Sequence, residues 1–202
     1  IALIITLFLI SPIIVMGSDQ GDSIGSASIA SGSPSSSTGT IIVGNAAPLI
    51  TGISFTDTGD VDKDEQFIDV LVEHWLTLNI TDNNNLADLD TIEVVVYESN
   101  STLVGDPDDE TDHYTFRFTQ GSGWGEVGPD GGGSHIILAD CLNPSDESLI
   151  SGTYRLAFKL DKTAEKTDTA SWILDVTVED DASTTDEDDS QNFGVNFYQE
   201  LT

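Results

Sequence analysis

The sequence predicts a mainly β protein, with an N-terminal hydrophobic α-helix followed by an antiparallel β-sandwich. Three observations carry this expectation. The first sixteen residues contain thirteen apolar side chains and no charge. From Leu49 onward, short apolar segments recur between turn formers, and the best of them alternate with strict period two. No convincing amphipathic helical period interrupts that series. The expected organisation is a hydrophobic helix over 1–30, a Gly/Ser-rich neck over 31–48 and an acidic sandwich over 49–202.

The leading segment is apolar all round a helical projection, and such a helix must be enclosed by protein or by lipid. Its apolar surface comes from Ile1, Leu3, Ile4, Ile5, Leu7, Phe8, Leu9, Ile10, Ile13, Ile14, Val15 and Met16. Three kinds of burial compete. A secretory signal peptide would be cut near Val15-Met16-Gly17, but no basic stretch precedes the apolar run, and the sequence opens without Met, as if a leader had already gone. A membrane anchor of this length reaches only about 24 Å at about 1.5 Å per residue, short of the roughly 30 Å hydrocarbon core. Extending it to Ile29 would carry Asp19 and Asp22 inward. Packing many copies against one another buries every face without that span, and it is the favoured expectation.

Gly, Ser, Ala and Thr dominate from Gly17 to Thr40, a composition with little to pack. The helix is expected to end between Gly17 and Ser33, with the small residues Gly25, Ser26, Ala27 and Ser28 allowing close helix approach if it continues. The hydroxyl run around Pro34 would suit O-linked sugars. Strands are then expected at 49–55, 67–72, 76–80, 92–97, 114–118, 135–138, 154–160, 172–178 and 193–198. Tyr154, Leu156, Phe158 and Leu160 share one face, as do Trp172, Leu174, Val176 and Val178, while Asp175, Thr177 and Glu179 face water. Eight or nine such strands imply a two-sheet sandwich resembling the immunoglobulin architecture. With Cys141 as the lone cysteine, the inter-sheet disulfide of that architecture is excluded, and a small buried residue is its expected role.

The chain carries a net charge of −30, and 34 of its 36 acidic residues follow residue 50 together with all six basic ones. Such a body repels nucleic acid and anionic headgroups and stays dispersed by self-repulsion. No catalytic constellation is found, so no enzyme is expected. His74, His113 and His135 are scattered, with His113 read as a surface pair with Asp112 and His135 set beside an apolar run. No phosphate-binding Gly loop precedes a helix, and Cys/His metal spacing is missing from the sequence. No cofactor is expected beyond a structural calcium ion. Its candidate ligands are Asp60, Asp62 and Asp64, alternate residues that in a loop can turn three carboxylates toward one ion. The helix-flanked calcium loop is not matched, because Glu65 and Leu71 stand where it needs Gly and Glu. The acidic runs 106–110 and 186–189 are weaker versions of the same idea. Sequons at Asn79 and Asn100 permit N-glycosylation of an exported protein, with Asn100 in an apparent turn the better acceptor.

An uncharged apolar N-terminal helix, a flexible neck and a β-rich head together resemble the type IV pilin superfamily in its archaeal form. The resemblance covers residues 1–16 by character and the rest by architecture. Ile5 stands where the bacterial pilins carry an acid, whereas the archaeal members often lack it. The resemblance implies cleavage of a leader just before the helix, and helices bundled as the core of an extracellular filament with the heads outside. It also implies that the partner is the protein itself in a helical homopolymer, with the membrane visited only before assembly. A role in adhesion or surface attachment follows from that reading. The alternatives are a membrane-anchored or secreted surface binding module, and a fibre joined by donor strands in which 41–43 or 49–55 pairs in trans.

Overall fold

The structure, a computed structural model, describes residues 44–99, 113–128 and 135–197. Every described residue belongs to one compact unit, Ile42–Thr202. Among the described residues nine strands appear in chain order: β1 (Leu49–Asp57), β2 (Phe67–Ile68), β3 (His74–Thr81), β4 (Leu89–Glu98), β5 (His113–Thr119), β6 (Gly123–Gly128), β7 (Ser151–Phe158), β8 (Trp172–Asp180) and β9 (Thr185–Val195). A single 3-10 turn, Leu86–Asp88, joins β3 to β4, and the Asn85 side chain caps it by accepting the Ala87 N–H at 3.0 Å.

The strands form two sheets, one ordered β1-β3-β7 and the other β2-β9-β8-β4-β5-β6. Their inner faces meet through aromatic side chains. Phe158 of β7 lies 5.4 Å from Phe116 of β5 and Phe55 of β1 lies 5.1 Å from Phe193 of β9, while Tyr154 meets Phe118 edge-on at 5.1 Å. Period two produces this core directly. His74, Leu76, Leu78 and Ile80 of β3 point inward and are buried, as are Trp172, Leu174, Val176 and Val178 of β8. The described core draws on residues from Phe55 to Val195.

Gly152 of β7 permits one close approach that positions the β3–β4 connection. A Cβ there would stand 2.5 Å from Pro144 Cγ and 2.6 Å from Leu86 Cδ1. Leu86 therefore packs directly on the β7 backbone, and its N–H donates to the Leu149 carbonyl at 2.8 Å.

The structure corrects the expected fold class. The described residues form strands and one 3-10 turn, with no α-helix, and the helix expected over 1–30 lies outside them. No described helix is long and apolar enough to cross a membrane. Nor is the sandwich purely antiparallel, because β2 pairs with β9 in parallel through Phe67↔Gly194 and Ile68↔Val195. The expected strand 67–72 shrinks to those two residues, since Leu71 takes a left-handed φ of 61° that ends extended pairing. The expected strand 135–138 reduces to an isolated bridge, Ile136↔Phe158. Two elements run beyond expectation: β6 pairs with β5 along a glycine-rich segment, and β9 starts eight residues before Phe193, in an acidic run.

Candidate functional site

The carboxylates Asp60, Asp62 and Asp64 sit in the loop between β1 and β2, and the structure does not bring them together around one point. Asp60 takes a left-handed φ of 59° and Glu65 one of 56°, so the alternation that would align the three side chains is broken. Asp62 accepts the Asp64 N–H at 3.1 Å, and Asp64 accepts the Asn192 N–H at 3.0 Å, tying the loop to β9. Asp57 organises the turn, accepting the N–H groups of Gly59 and Val61 and pairing with Lys63 at 3.0 Å. Those hydrogen bonds, the one from Val61 foremost, hold the Asp57 carboxyl below the usual range. In the run 186–189, Asp186 accepts the Ile50 N–H at 2.7 Å and Asp188 the Ser190 N–H at 2.9 Å. The run 106–110, Asn100 and the assembly segment from Ile1 to Met16 lie outside the described residues. Asn79 is exposed on the outer face of β3, where its side-chain Oδ1 accepts the Thr153 hydroxyl at 2.8 Å.

The histidines and the cysteine are structural neighbours of the core. His113, expected at the surface, is buried, with Nε2 3.0 Å from the Thr115 hydroxyl. His135 Nδ1 lies 2.6 Å from a Glu126 carboxylate oxygen, and the other oxygen of Glu126 accepts the His135 N–H at 3.0 Å. Burial pushes the His74 imidazole below its usual pKa, and the ring packs 5.7 Å from Phe55. The Cys141 thiol is half-buried and is pushed up by burial, with Sγ accepting the Ala157 N–H at 3.3 Å.

A different set of acids does converge. The inward series of β3 continues past its end to Asp82, and that of β8 ends in Asp180, each 1 % exposed. Two stripes of apolar side chains, one from each sheet, thus finish in a buried aspartate at the same end of the sandwich. The turn Leu86–Asp88 adds Asp88, just before β4 pairs Leu89 with Asp180. One carboxylate oxygen from each of Asp82, Asp88 and Asp180 lies within 4.8 Å of the others. Among the described residues this is the group of acids so arranged.

The surroundings of the three differ. Asp180 Oδ1 accepts the N–H groups of Ala182 and Thr184, and Oδ2 accepts from the Thr184 hydroxyl and from Asn45 Nδ2 at 2.7 Å. Burial pushes its carboxyl up, but these bonds together outweigh burial and hold it below the usual range. Asp88 Oδ2 accepts Asn84 Nδ2 at 2.8 Å. Asp82 Oδ1 accepts the Asn84 N–H at 2.7 Å, whereas Asp82 Oδ2 is buried without a hydrogen-bond partner. The nearby Asp181 carboxyl is pushed up, chiefly by the charge on Asp88, with Asp180 and Asp82 adding to it. None of the four ion pairs among the described residues reaches this group. The sequence signal that could have found it is an aspartate closing each of two period-two apolar stripes. Compared with known protein families and with curated proteins, the chain matches no family model and no curated sequence.

Proposed function

We propose that this chain is a structural subunit of an extracellular filament of the type IV pilus kind, assembling through its N-terminal apolar segment and exposing its acidic β-sandwich for adhesion or surface attachment. The observation that carries the reading is the contrast between a leading stretch of thirteen apolar side chains in sixteen residues and a following body of net charge −28. The apolar stretch must be removed from water, and the charged body must remain in it.

Burying thirteen apolar side chains at about 1.5–3 kcal/mol each sets an upper bound of tens of kcal/mol for joining the filament core. Ordering and association costs remove much of that. Repulsion between heads opposes assembly and weakens with ionic strength, because the Debye length falls from about 10 Å at 0.1 M to about 3 Å at 1 M. Replacing Leu7 or Phe8 by Asp places a charge in the shared core. Each variant is expected to lose filaments under the electron microscope while the head unfolds at the wild-type temperature. Normal filaments from both variants would refute the reading.

A further inference from the structure

We propose that Asp82, Asp88 and Asp180 bind a calcium ion that clamps the β3–β4 connection to the end of β8. This inference is independent of how the chain assembles. It starts from the buried Asp82 Oδ2, which no hydrogen bond satisfies among protein groups. Buried carboxylate oxygens are rarely left so, because an unpaired charged group carries its full desolvation cost. A water molecule could hydrogen-bond that oxygen, but it would bring no positive charge to three converging carboxylates.

The geometry admits a hard cation. Oxygens bound to one Ca²⁺ at about 2.3–2.6 Å stand at most about 5.2 Å apart, and the three oxygens here lie within that reach of one another. Mg²⁺ needs bonds of about 2.0–2.1 Å in a strict octahedron and keeps its waters, so it suits this group less well. Two ligands come from the β3–β4 connection and the third from the end of β8, and two of the three are already held in place. Asp180 is fixed by the Thr184 and Ala182 N–H groups, and Asp82 by the Asn84 N–H. Ordering costs on binding are small for side chains already positioned. Waters complete the coordination on the solvent side, where Asp88 is partly exposed.

The test uses the full chain in detergent, at fixed ionic strength, with CaCl₂, MgCl₂ or EDTA. Titration calorimetry is expected to give one Ca²⁺ per chain. If the dissociation constant is about 0.1 mM, as in extracellular calcium modules, 10 mM CaCl₂ raises Tm by roughly 5 °C or more. Asp82→Asn and Asp88→Asn should each weaken calcium binding at least tenfold and abolish most of the Tm shift. Both should melt in EDTA no lower than wild type, because each removes a repelling charge. Asp62→Asn, in the β1–β2 loop, should leave the calcium response intact. Should Asp82→Asn fail to fold, the partly exposed Asp88→Asn decides alone. A wild-type chain with no calcium response, a full response retained by Asp88→Asn, or an equal response to Mg²⁺ would overturn the assignment.

Discussion

Phe158 offers the sharpest test of how the two sheets are held together. It belongs to β7 in the three-stranded sheet, is fully buried, stacks on Phe55 of its own sheet at 6.0 Å and meets Phe116 of the other sheet at 5.4 Å. Truncation to Ala removes the ring and leaves a cavity between the layers, which typically costs about 3–5 kcal/mol. For a body of this size each kcal/mol lowers Tm by about 2–4 °C, so Phe158→Ala should lower it by roughly 6–20 °C. Urea unfolding followed by tryptophan fluorescence and near-ultraviolet circular dichroism would measure the change in free energy. The double variant with Phe116→Ala should show a coupling of about 0.5–1.5 kcal/mol, the part that belongs to ring contact across the layers. Leu149→Ala is the control: that side chain is 53 % exposed, and its loss should change stability by no more than about 0.5 kcal/mol. If Phe158→Ala behaves like Leu149→Ala, or the coupling is zero, the sheets do not share a packed core at this point.

Two further outcomes follow from local geometry. Gly152→Ala forces a methyl group into Pro144 and Leu86; overpacking of this kind costs about 1–3 kcal/mol, offset in part by about 0.4–1 kcal/mol from a stiffer unfolded chain. A lower Tm is expected together with weaker calcium binding, since Leu86 begins the turn that carries Asp88, and calorimetry would read both. The His74 imidazole, lowered by burial against the opposing hydrogen bond to the Val72 carbonyl, makes folding pH-dependent. The unfolded chain takes up a proton first as pH falls, so stability is full above about pH 6.5 and declines below it. His74→Leu should flatten the change in unfolding free energy between pH 7.5 and 5.5, the interval just above and below that ordinary imidazole value.

The strands that follow hydropathy were legible before the structure. Tyr154 to Leu160 and Trp172 to Val178 alternate because one face meets the opposite sheet, and their pairing follows; the outer face of β7 is covered at Ala157, which is fully buried beside Cys141. The first half of β9 was not legible, for a physical reason. Its side chains, Asp186 to Asp189 among them, report only solvent and charge, whereas its backbone is recruited by β8, whose own register is set by apolar burial. β6 was hidden similarly: Gly123, Gly125 and Gly128 carry no side-chain period, and the strand is anchored by Trp124, beside Phe118 at 5.7 Å, and by Glu126, bonded to His135. The candidate site was half legible. Asp60, Asp62 and Asp64 alternate along the chain, but period two holds only in extended backbone, and the left-handed φ at Asp60 and Glu65 cancels it. Asp82 and Asp180 do end inward stripes, yet their meeting depends on how the two sheets face, which no local pattern encodes.

The sheet order sets when the head can close. β9, the last of the described strands, pairs along its length with β8 and also holds β2, near the start of the head. Until residue 195 has emerged, β8 presents an open edge and Trp172 lacks Phe193, on which it stacks at 5.9 Å. A chain that emerges N-terminus first therefore cannot complete this sheet before residue 195 is out.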